Sequence, residues 1–198
     1  MSAKEVVPEH NEGIQTNTES SIELSTEQEA QQFFNEVKQR LLNINNWHHY
    51  AGSGSAHFLL TDDKGNAVHR SPQQGDHFKI DVPGPGTITG EGHDWVQIEA
   101  IEEDKESIGI RVRPATNPTN ERRDVAHFFS EDATSSFIIK REGNKITAGV
   151  YGRNEKPNTN TETLKDKIRN AAMATGAISG FSKLQWKSLV NGLIEKSS

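Results

Sequence analysis

Six stretches of this chain read as strands, and four of them alternate apolar and polar residues with a period of two, the signature of half-buried strands. The six are "AHFLLTD" (56–62), "DHFKIDV" (76–82), "DWVQIEAIEE" (94–103), "SIGIRVR" (107–113), "TSSFIIKR" (134–141) and "KITAGVY" (145–151). Side chains alternate across a strand. Phe78, Ile80 and Val82 therefore share one face, and His77, Lys79 and Asp81 the other. Val96, Ile98 and Ala100 oppose Trp95, Gln97 and Glu99, while Ile108, Ile110 and Val112 oppose Arg111 and Arg113. Ile146, Ala148 and Val150 oppose Thr147 and Tyr151. One apolar and one mixed face per strand suits an antiparallel sheet covered on one side. "EEDKE" (102–106) and "EGN" (142–144) read as tight reversals, and successive hairpins argue against parallel βαβ units.

The sequence also supplies the cover. After a short strand at 21–24, Ser25 with Gln28 or Thr26 with Glu29 forms a capping box. Ala30, Phe33, Phe34, Val37, Leu41 and Ile44 follow as one apolar helical stripe. "NNWHHYAGSGSA" (45–56) should end that helix and pass into a Gly/Ser loop. The C-terminal part reads as a long helical region. Thr161 or Thr163 is its candidate N-cap, and Gly176 and Gly180 interrupt it. A second start lies at Ser182, with Gln185 completing a capping box and Phe181 stapling onto Trp186. Trp186, Leu189, Val190, Leu193 and Ile194 form its apolar stripe. Residues 1–20 are polar and poor in large apolar groups, so they read as a flexible tail before one α+β domain at 21–198.

Composition narrows the classes of function. The net charge of -6 and the scattered basic residues give no footprint for nucleic acid. The chain has no cysteine, which removes disulfides, thiolate zinc sites and a cysteine nucleophile. No window approaches the roughly 18 apolar residues of a membrane helix, and the N-terminus has no signal-like apolar run. The expectation is a soluble, cytoplasmic protein with no membrane partner and no implied cofactor. Its oligomeric state is not legible.

The order of elements resembles the helix-grip fold of the START-like, or polyketide-cyclase-like, superfamily. "SIELSTEQEAQQFF" (21–34) looks like that family's short strand leading into a capped helix, and "NNWHHY" (45–50) is similar to its Trp-containing segment. The "DKIRNAAMATGA" and "LQWKSLVNGLIEK" stretches would be the gripping helix. The resemblance implies a curved antiparallel sheet of about six strands, wrapped around a long C-terminal helix and enclosing an apolar cavity. "RPATNPTNERRDVAHFFSEDA" (113–133) departs from it as a long insert, as do the glycines of the C-terminal region. The rival architecture is a small β-barrel or open sheet with helices packed on one side.

Candidate site residues follow from residue type. Eight histidines are present, and "AHFL", "DHFK" and "AHFF" pair His57, His77 and His127 with a phenylalanine. His57 and His77 read as residues of the wetter sheet face. No H-x-x-x-H or H-E-x-x-H spacing points to a metal. His93 and Asp94, with Trp95, end the Gly/Pro-rich stretch 81–95, which matches no phosphate-cradling loop. Arg111 and Arg113 share a face and could hold a carboxylate or phosphate, or pair across the sheet with Glu99, Gln97 or Asp81. Tyr151, Arg153 and Glu155 lie near another strand end. The candidate ligand-binding set is His93, Asp94, Trp95, Arg111, Arg113, His127, Tyr151 and Arg153. With no recognised catalytic motif, the leading expectation is a binding or interaction module with a cavity for a small apolar ligand. The alternative is a small cavity enzyme of the cyclase, lyase or hydrolase type, using His93, Asp94 or His127 in acid-base chemistry.

Overall fold

The structure is a computed structural model that describes residues 3–81, 88–160, 168 and 178–196. Strand β1 spans Ile14–Glu23 and is followed by helix α1 (Glu27–Leu42) and a short helix α2 (Trp47–Ala51). Strands β2 (His57–Thr61), β3 (His77–Asp81), β4 (Asp94–Glu103), β5 (Ser107–Pro114), β6 (Thr134–Glu142) and β7 (Lys145–Glu155) come next. Helix α3 (Ile178–Leu193) closes the described chain. The seven strands form one antiparallel sheet in the order β1-β7-β6-β5-β4-β3-β2. The sheet is open, with β1 and β2 at its edges, and so is not a closed barrel. The helices pack on one face of it, which is the helix-grip arrangement of an α+β protein. No helix among the described residues is long and apolar enough to cross a membrane.

Local chemistry explains the joints. Thr26 is the N-cap of α1: its hydroxyl accepts from the Glu29 N–H at 3.1 Å, and the Glu29 carboxylate accepts from the Ser25 N–H at 3.1 Å. Of the two capping boxes expected from the sequence, the Thr26–Glu29 pair is the one engaged, with the carboxylate reaching back to Ser25 rather than to the N-cap itself. Gly143 takes φ 62° in the two-residue turn between β6 and β7, a conformation that favours glycine. Asp104 closes the β4–β5 reversal by accepting from the Glu106 N–H and the Ser107 hydroxyl, both at 2.8 Å. The core lies between sheet and helices, around a fully buried Trp47. Its indole N–H donates to the Leu41 carbonyl at 2.9 Å, and its ring meets Phe58, Phe78 and Phe137.

Several expectations are corrected. Residues 14–20 do not form a tail. They make most of β1 and pair with β7 from Ile14 to Glu23. The segment before them also packs on the sheet. Val6 is buried against Ile138 on the outer face, and its carbonyl accepts from the Ser136 hydroxyl at 2.8 Å. One large apolar residue placed opposite Ile138 outweighs the polar character of its neighbours. The stretch after Asn46 forms α2 before it turns, so the segment from 45 is not loop throughout. Ser182 does not start a helix. The backbone of α3 runs continuously through Gly180 and Ser182, and the Gln185 amide is used elsewhere. The expected N-caps Thr161 and Thr163, Gly176 and the "VPGPGT" part of the glycine-rich stretch lie outside the described residues, as does the Phe181 staple.

Strict alternation also fails twice. A bulge between Ile98 and Ala100 turns Ala100 to the outer face, beside Val6 and Ile138, and Ile101 towards the core. A second irregularity, between Ile14 and Thr16, faces the end of β7.

Candidate functional site

The second bulge builds the site. Along β7, Ile146, Ala148 and Val150 face the core. Simple alternation would then turn Tyr151, Arg153 and Glu155 all to the outer face. Asn154, however, adopts φ 55°, and the register slips so that Ile14 opposes Glu155 while Thr16 opposes Gly152. The extra residue reverses the parity of the strand end. Glu155 consequently points inward, into a cavity between the sheet and α3. Asparagine tolerates the left-handed conformation, and this one is clamped: its Oδ1 accepts from the Asn11 N–H at 2.8 Å and the Glu12 N–H at 3.3 Å. Gly152 leaves room for the inverted carboxylate. A Cβ there would lie 2.2 Å from Glu155 Oε1 and 2.3 Å from the Thr16 hydroxyl.

Aromatic rings dominate the cavity walls: Phe58, Phe78, Phe128, Phe129, Phe137 and Trp186. The Trp186 ring lies 5.2 Å from Phe137, edge to face, and 6.1 Å from Phe58. Among the described residues the polar lining consists of Glu155, His127, Ser135 and Gln185. The cavity volume is about 50 Å³, within about 600 Å³ of empty space that includes the open mouth. The lumen is therefore a slot rather than a wide chamber.

Burial pushes the Glu155 carboxyl up to about 7, against the opposing effects of the Thr16 hydroxyl and the Arg153 charge. The Thr16 hydroxyl donates to it at 3.4 Å. His127 is buried, and its Nδ1 accepts from the Phe129 N–H at 2.9 Å, which leaves the ring proton on Nε2. Asn158 fixes this segment by donating to the carbonyls of Val125 at 2.9 Å and His127 at 3.0 Å. Through this staple the long insert contributes His127, Phe128 and Phe129 to the cavity.

Of the residues expected from sequence, His127 lines the cavity and the others are placed elsewhere. Arg111 and Arg113 pair with Glu99, at 3.0 and 2.5 Å, and Arg113 also donates to the Glu131 carbonyl at 2.7 Å. They lie on the opposite face from Val112, which lines the cavity. The Tyr151 hydroxyl donates to Glu19 at 2.6 Å, and burial together with that carboxylate pushes its pKa up. Arg153 donates through one nitrogen to the Thr16 and Gly152 carbonyls and to Asn17 Oδ1. Trp95 is buried with its indole N–H donating to the Gly90 carbonyl at 3.2 Å. Asp94 is fully buried opposite Ile80, and His93 sits half-buried in the preceding turn. None of these three lines the cavity. His77, expected on a wetter face, is buried, and burial pulls its pKa down. Sequence reasoning placed Glu155 near a strand end but left it out of the site, and it missed Gln185, Ser135 and the aromatic walls. The signal for Glu155 was the "YGRNE" spacing, a glycine and an asparagine just before the acid. Among the described residues, no group of three or more His, Asp or Glu could hold a metal ion.

Comparison with solved structures finds matches at low identity. A hypothetical protein from Helicobacter pylori superposes with a TM-score of 0.55 at 11% identity, covering 91% of this chain and 86% of that one. Major latex-like protein 151 from Panax ginseng gives a TM-score of 0.36 at 14% identity, over 85% of this chain and 98% of that one. The di-domain ARO/CYC BexL gives 0.41 at 9% identity, over 91% of this chain and 46% of that one. At 11% identity the likeness to the Helicobacter pylori protein concerns fold alone. No family model matches the chain, and no curated protein matches it in sequence.

Proposed function

We propose that this protein binds a small, largely apolar ligand in the slot between its sheet and α3. One observation carries the reading: an aromatic-walled cavity with a few convergent polar groups in an otherwise close-packed core. The dominance of rings over aliphatic groups favours a flat molecule, which stacks or meets ring edges in a narrow space. The test is an amide-resolved NMR titration with 2-ethylnaphthalene. Saturable shifts should concentrate at Phe128, Phe129, Gln185 and Trp186, and Val112→Phe, which fills the slot, should abolish them. Shifts that do not saturate, or that survive the filled slot, contradict the reading.

A second reading, a small cavity enzyme, is favoured by the Glu155 carboxyl. A group titrating near neutral pH is suited to proton transfer, and His127 lines the same cavity. In this reading a bound ligand is released chemically altered, and Glu155→Gln stops the conversion without preventing binding. Recovery of unchanged ligand after long incubation with the parent protein decides against it.

A further inference from the structure

One residue of the cavity wall carries a buried donor that has no hydrogen-bond partner among the described residues. Gln185 is 5% exposed and lines the slot, as does Ala56. The Gln185 amide oxygen accepts from the Ala56 N–H at 2.8 Å. A backbone N–H can only donate, so this contact fixes which end of the amide is oxygen and turns the amino end away from Ala56. That nitrogen, Nε2, is buried and has no hydrogen-bond partner among the described residues. Buried amide donors are rarely left unpaired, because their lost hydration is not replaced.

The charges in the wall restrict what can satisfy it. Among the described lining residues there is no Lys or Arg, and the one acid is Glu155. The neighbouring Arg153 does not line the slot and is held by Thr16, Asn17 and Gly152. Among these described groups an anionic ligand finds no counter-charge, and an ionised Glu155 would repel it. A neutral oxygen meets neither obstacle.

Resting on the ligand-binding reading above, we infer that the ligand is an uncharged, flat aromatic molecule bearing a carbonyl oxygen, and that the Gln185 Nε2 amide donates to that oxygen. Glu155 acts in the same cavity as a filter against carboxylates.

Calorimetric titration of the full chain with three matched compounds tests this. They are 2-acetylnaphthalene, 2-ethylnaphthalene and 2-naphthoate, run against the parent, Gln185→Leu and Gln185→Glu. The second variant keeps an acceptor for the Ala56 N–H, so it guards against a folding defect. In the parent, 2-acetylnaphthalene should bind about tenfold tighter than either other compound, the worth of one good buried hydrogen bond. Gln185→Leu should erase its advantage over 2-ethylnaphthalene, read as the ratio of the two dissociation constants within the same protein, and Gln185→Glu should do so once its carboxyl is ionised. Equal binding of 2-acetylnaphthalene and 2-ethylnaphthalene overturns the inference and leaves the cavity reading standing. So does 2-naphthoate binding as tightly as the ketone, or a preference that survives in Gln185→Leu or in the ionised Gln185→Glu. Failure of all three compounds to bind overturns both.

Discussion

Glu155 is a carboxyl that the chain goes to some length to bury. Its environment raises it from an ordinary 4.5 to about 7, chiefly through lost hydration. The folded chain therefore holds this proton up to about pH 7, whereas the unfolded chain releases it near 4.5. Folding is favoured by that proton below 4.5, and the contribution is lost as pH rises through 7. The gap corresponds to about 3 kcal/mol. We expect Glu155→Gln to remove it, so that denaturant titrations at about pH 5 and about pH 8 show the parent losing roughly 2.5 kcal/mol more than the variant. Equal losses would contradict a buried carboxyl. Gly152→Ala tests the same feature from its neighbour. The new methyl would overlap Glu155 Oε1 and the Thr16 hydroxyl, and one of them must leave. We expect the raised titration of Glu155, followed by carboxyl-carbon NMR, to return towards the ordinary range. At this scale the sequence was only partly legible. The inversion depends on a positive φ at Asn154 and on contacts with residues 11 and 12, far away in the chain. Alternation, a local rule, turned Glu155 the wrong way.

Among the elements, α3 and its seat were the hardest to read. Its apolar stripe at Leu189, Val190, Leu193 and Ile194 was legible and is buried as expected. Its beginning was not, because glycine and serine read as a break although the backbone continues as helix through both. The closeness of α3 to α2 has a definite cause. At Gly192 a Cβ would lie 1.8 Å from the Tyr50 carbonyl oxygen, so only glycine lets the two helices approach this far. We expect Gly192→Ala to destabilise the protein by about 1–3 kcal/mol, the usual effect of overpacking, as measured by urea unfolding. A change below about 0.5 kcal/mol, the range of a neutral surface substitution, would show that this seam is not tight. The N-terminal strand was misread for a different reason. Its composition is polar, but β1 gains order from its pairing with β7 and Val6 from burial against Ile138. Neither partner can be seen from the segment itself.

For the molecule as a whole, the period-two pattern was enough to specify an antiparallel sheet with helices on its apolar face. Five of the six expected strands begin within one residue of their observed starts and end within one residue of their observed ends, because turn residues mark their ends chemically. The position of the site was less legible. Sequence reasoning looked to the mixed face, where Arg111, Arg113 and Tyr151 lie, and those groups are occupied by Glu99 and Glu19. The cavity instead opens on the apolar face, where packing between the sheet, the insert and α3 leaves a gap. A gap in packing is a property of three elements meeting, and no single element encodes it. The slot is proposed to take a flat neutral ligand. Intermolecular NOEs recorded on the complex with 2-acetylnaphthalene test it most directly. We predict contacts from the naphthalene protons to the rings of Phe58, Phe137 and Trp186, with the acetyl methyl near Gln185. Contacts confined to outer-face residues such as Tyr151 and Ile138 would contradict it.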